Sequence, residues 1–155
     1  MKGWLKAGLL GGIAGSVLTV PALLLFYLPV NAGLIINTCA GALFLLLYPG
    51  VGVLAAYWST IPRTPKQGAI DGALAGFVAF GLDSLATLVL MLIPLLTGRY
   101  QQYLLQFVPW ASSDALEIAT ISSMIMLPIS LCMNVLVGIL FSSLGGLVFA
   151  SIRKE

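Results

Sequence analysis

Between Lys6 and Arg63 the chain carries no charged residue. This run of about 56 residues is the strongest constraint on the fold, because it leaves room for two membrane spans of about 20 residues each. Soluble domains are charged at about 25% of positions. Here 8% of residues are charged, 60% are apolar, and the mean hydropathy is +1.09. A water-soluble surface cannot be built from that material. Intrinsic disorder is excluded as well, since it requires low hydrophobicity. The sequence predicts an integral membrane protein solvated by the lipid bilayer.

The start, Met1-Lys2-Gly3-Trp4-Leu5-Lys6, has the charge of a signal-peptide head. The apolar run from Ala7 to Tyr27 exceeds the 7–15 residues of a cleavable core and ends in Leu-Pro, which predicts a retained first span. Turn residues at Leu28-Pro29-Val30-Asn31-Ala32-Gly33 divide the uncharged run into helices over 5–27 and 34–58. Pro49-Gly50 interrupts the second of these, either as a kink or as a break that exposes carbonyls. Thr64-Pro65-Lys66-Gln67 reads as a capped start of a third helix reaching Leu96. Asp114, with Glu117 three residues on, reads as the cap of a further helix. From Asp114 to Ile152 a straight helix would be about 57 Å long. The expectation is therefore a division at Pro128, with a short outer helix over 114–127 and a last span over 129–151.

The fold expected is an all-α four-span bundle forming one domain over 1–155. Six of the seven basic residues (Lys2, Lys6, Arg63, Lys66, Arg153 and Lys154) fall on one side of it, and only Arg99 on the other. By the positive-inside rule both termini are expected in the cytoplasm. A plasma membrane of a bacterial or archaeal cell is the default location. In the outer segment, Tyr100, Tyr103, Phe107 and Trp110 recur at helical spacing, which suits a helix in the headgroup zone or a docking surface for another subunit.

Small residues recur four apart on three helices: Gly8, Gly12 and Ser16; Gly68, Gly72 and Gly76; Gly138, Ser142 and Gly146. The first two series each follow a lysine, Lys6 and Lys66, which suggests tandem two-helix halves at 1–60 and 61–155. Such ridges let backbones approach closely, within a bundle or between subunits. Three of them in four spans point to partners: copies of this chain or other membrane subunits.

Asp71 lies near the start of the third helix, where Lys66, and Lys6 or Arg63, are within expected reach. Asp83 lies about 25 Å along the axis from Lys66, within the hydrocarbon. An intramembrane carboxylate costs about 2.5–3.5 kcal/mol to insert and marks a candidate functional site. No span holds a basic residue to offset it. It must be protonated, hydrogen-bonded to neutral groups, or reached by water. Ser84 and Thr87 are local candidate partners. Asn134, about 28 Å from Arg153 by the same count, is at matching depth and is expected to contact Asp83.

Catalysis has little to draw on. The absence of histidine removes Ser-His and Cys-His mechanisms and most transition-metal sites. Cys39 and Cys132 form no CxxC pair and are expected to be buried apolar residues. Asp71 and Asp83 are about 18 Å apart on one helix, too far to share a proton as a protease dyad. Phosphate-loop and dinucleotide patterns are missing, as is a basic surface for nucleic acid. No cofactor or metal is expected. Two functions remain: a non-enzymatic accessory or self-associating subunit, suggested by the ridges, and a small proton- or cation-coupled transporter or channel, suggested by Asp83.

Overall fold

The computed structural model describes residues 2–24, 30–59 and 64–153. Among these it contains five helices and no strand: α1 (Gly3–Leu24), α2 (Val30–Tyr57), α3 (Pro65–Leu96), α4 (Arg99–Phe107) and α5 (Ser113–Ile152). All but α4 are long and apolar enough to cross a bilayer. The molecule is a multi-pass membrane protein with a four-span bundle. Large apolar side chains such as Leu46, Phe77 and Leu140 point outward, as a lipid-facing surface requires.

Helix boundaries follow local chemistry. The Thr64 hydroxyl accepts from the Gln67 amide at 3.2 Å, and Pro65 takes the first helical position, where its missing N–H costs nothing. Gly98, with φ of 70°, turns the chain out of α3 and into α4. Several expectations are corrected. Helix α2 begins at Val30, so residues 30–33 are helical rather than a turn; residues 28 and 29 lie outside the described part. The cap of α5 is Ser112, whose hydroxyl accepts from the Ala115 amide at 3.3 Å, and Asp114 sits in the first turn. Helix α5 is not divided at Pro128 but runs unbroken for 40 residues. A proline removes one intrahelical bond, and in an apolar medium the remaining bonds have no water to exchange with, so the helix continues through it. Helix α2 likewise continues through Pro49.

Helix α3 is central and packs against α1, α2 and α5. The ridge of α3 meshes with that of α5 in antiparallel register. A Cβ on Gly68 would lie 2.6 Å from the Ala150 Cβ, and one on Gly76 would lie 2.8 Å from the Ser142 Cβ. Between them, Ser142 Oγ donates to the Gly72 carbonyl at 2.8 Å. Each step of four residues along α3 is matched by a step of four back along α5. The α1 ridge faces α3 instead, Gly8 against Val78 and Gly12 against Leu82. Gly52 of α2 meets Ser142 and Gly146 backbone, and Gly145 meets the Pro49 carbonyl. These contacts zip together the end of the bundle that holds Lys2, Lys6, Lys66 and Arg153, termed the basic end. The opposite end, capped by α4, is the far end.

Candidate functional site

The ridge register also decides what lies above it. One turn past Gly76, Phe80 fills the space over Gly138 and is fully buried. The next turn of α3 then brings Asp83 level with Asn134 of α5. Asn134 Nδ2 donates to Asp83 Oδ2 at 3.4 Å, so these two side chains are together. From α1, Gly15 lets the Asp83 side chain approach its backbone, a Cβ there lying 3.3 Å from the Asp83 Cγ. One turn on, Thr19 Oγ1 lies 2.8 Å from Asp83 Oδ1. From α2, the Tyr48 hydroxyl donates to Asn134 Oδ1, and its ring stands edge-on to Phe80 with centroids 4.3 Å apart. Four helices thus each contribute one side chain to a chain of hydrogen bonds centred on Asp83, which is 2% exposed.

Thr19 decides what this cluster can do. Its oxygen lies 2.8 Å from the Gly15 carbonyl and 2.8 Å from Asp83 Oδ1, yet a hydroxyl carries a single proton. If that proton points to Asp83, the carboxylate is ionised and accepts from both Thr19 and Asn134. If it points to Gly15, the remaining contact needs a proton from Asp83, which is then a neutral acid donating to Thr19. Both arrangements satisfy every group named. Asp83 can gain or lose a proton by a hydroxyl rotation, with no heavy atom displaced.

The cluster forms the floor of an open-sided cavity of about 410 Å³. Its walls rise toward the far end, through Thr87 on α3, Ser130 and Leu131 on α5, and Phe44 and Gly41 on α2. Val51, Ala75, Ala79 and Phe80 are buried in one apolar cluster below the floor.

The other sequence candidates fall in different places. Ser84 turns away from Asp83 and donates to the Leu131 carbonyl at 3.4 Å. Thr87 lines the cavity wall. Asp71 lines a cleft of about 440 Å³ at the basic end with Lys2, Gln67 and Ser59, and the cation that acts on it is Lys2, not the Lys66 or Lys6 expected. Lys66, five residues before Asp71, stands on a different face of the helix; Arg63 lies outside the described residues. Cys39 and Cys132 are exposed to the lipid-facing side rather than buried. In the outer segment the helix ends at Phe107, because Val108-Pro109 breaks it, so Trp110 lies in the turn beyond and is 83% exposed. Tyr100 bonds Ser123 of α5, and Tyr103 stacks edge-on with Phe107 at 5.1 Å.

Sequence reasoning missed Thr19 and Tyr48. The signal was available, since the depth count used for Asn134 also applies to hydroxyls on the first two helices, and a tyrosine within a span needs a partner for its O–H. Compared with family models, curated proteins and solved structures, the chain matches none. Its function must be argued from the site itself.

Proposed function

We propose that this chain is a small, non-enzymatic carrier of the plasma membrane, which exchanges protons or other cations through Asp83. The observation that carries this reading is the Thr19 contact, which lets a carboxylate at the floor of a membrane cavity be satisfied both with and without its proton. A carboxylate used only to hold helices together has no need of an adjoining cavity. The accessory-subunit reading drew on three small-residue ridges. Those ridges pack against helices of the same chain, the internal use that their spacing also allows.

The positive-inside rule assigns the basic end to the cytoplasm, in a bacterial or archaeal cell by default. The cavity then faces outward. Reporter fusions after residues 30, 62, 108 and 155 are expected to alternate outside, inside, outside, inside. The functional test is reconstitution into liposomes that are acidic inside, with sodium, potassium and tetramethylammonium outside as exchangeable cations, and an internal pH dye. Wild-type protein is expected to dissipate the gradient and Asp83→Asn to do so at least tenfold more slowly. Equal rates would sink the proposal.

A further inference from the structure

The cavity above Asp83 contains two kinds of surface. At its floor is one carboxyl group, with Asn134 and Thr19 beside it. On its walls are the rings of Phe44 and Tyr48, with centroids 6.0 Å apart and planes inclined at 47°, and the side chains of Leu45 and Leu131. Among the described residues, no basic side chain lines it. A bare metal cation gains nothing from leucines, and a hard cation wants six or more oxygens around it. The volume of about 410 Å³ is also far larger than such an ion and falls within the size range of small-molecule sites. An organic monocation uses both surfaces: its charge faces the carboxylate and the ring faces, and its hydrocarbon covers the leucines.

From this we infer that the cavity binds small lipophilic ammonium ions in competition with a proton on Asp83. This inference rests on the exchange reading and names its substrate class. In the exchange the Asp83 O–H bond breaks, its electron pair stays on the carboxylate, the proton leaves to water, and the ammonium ion takes its place as counter-charge. No covalent bond to the ligand forms. The Thr19 proton swings from Gly15 to Asp83 in the same step.

The test uses full-length protein in detergent and benzyltrimethylammonium, which has no proton of its own to release. Calorimetry in weakly buffered solution is expected to detect saturable binding with release approaching one proton per ligand. Where free Asp83 is protonated, affinity should rise by up to tenfold per pH unit. Neopentylbenzene, the neutral isostere, should bind without proton release. Asp83→Asn should weaken binding of the cation at least tenfold. Phe44→Leu, which leaves the polar floor intact, should weaken it about twofold to fivefold through the lost ring face. Equal binding of cation and isostere, or cation binding unchanged in Asp83→Asn, overturns the inference. Asp83-dependent proton flux in liposomes without cation binding also overturns it and leaves proton exchange standing. Cation binding with proton release but no flux supports the site and removes the carrier reading.

Discussion

The two ends of this bundle use the same helices to different effect. At the basic end the helices touch through glycine, serine and alanine, and backbone meets backbone: Gly52 against Ser142, Gly68 against Gly146. Lipid competes poorly for such contacts, because only a shape-matched helix fills a groove without side chains. At the far end the helices stand apart. Gly41 has nothing within 4 Å of where a side chain would begin, and the described part of α5 before Gly138 has Thr120 as its one buried residue. There the bundle is joined by hydrogen bonds around Asp83 instead. One end is fixed by shape and the other by proton donors and acceptors, and only the second kind of join can respond to chemistry.

The contrast can be broken most forcefully at Gly146. Gly146→Val is expected to cost about 3 kcal/mol or more, because backbone on both sides has nowhere to move. Gly41→Ala is expected to change stability by no more than about 1 kcal/mol, and in the stabilising direction. Unfolding in a graded series of denaturing detergent, followed by circular dichroism, measures both. Similar losses at the two positions would erase the distinction between the ends. Next in size is the Asp83 position. Asp83→Leu leaves the Asn134 N–H without an acceptor and should cost about 1–3 kcal/mol, whereas Asp83→Asn retains the shape of the neutral acid and should cost less. Tyr48→Phe deprives Asn134 Oδ1 of its donor, for about 1 kcal/mol. A double-mutant cycle between Tyr48→Phe and Asp83→Leu should give a coupling of at least about 0.5 kcal/mol; additive losses would separate Tyr48 from the cluster. The smallest effect is expected at the far-end cap, where Tyr100→Phe removes the bond to Ser123 for about 0.5 kcal/mol.

Much of the architecture was legible because the bilayer simplifies the reading. Long uncharged runs, the Thr64-Pro65 start and the end near Leu96 follow from insolubility of charge and from capping rules, which need no tertiary information. The Asp83–Asn134 approach was legible too, since depth along a helix is a linear count. Azimuth was not. Whether Ser84 or Thr19 faces Asp83 depends on how α1 and α3 rotate about their axes, and that rotation is set by which small residues mesh. The same blindness left the ridges open between packing inside the bundle and packing against partners: spacing identifies a groove but not the helix that fills it. Pro128 misled for a different reason. Proline costs a helix one hydrogen bond and a clash with the carbonyl four residues back, which ends the helix where water can take over the freed groups, and this helix has none along most of its length.

The loneliness of Asp83 in its cavity has an energetic corollary for the exchange proposed above. A single carboxylate can be neutralised by one proton or by one monovalent cation, never by both. Whichever it carries, the moving unit has the same total charge, so a complete turnover displaces no net charge across the bilayer. A membrane potential, worth about 2.3 kcal/mol per elementary charge for each 100 mV, would then have no purchase on the cycle. Such a carrier sets the acidity difference against the cation's own concentration difference, and works equally well in a depolarised cell.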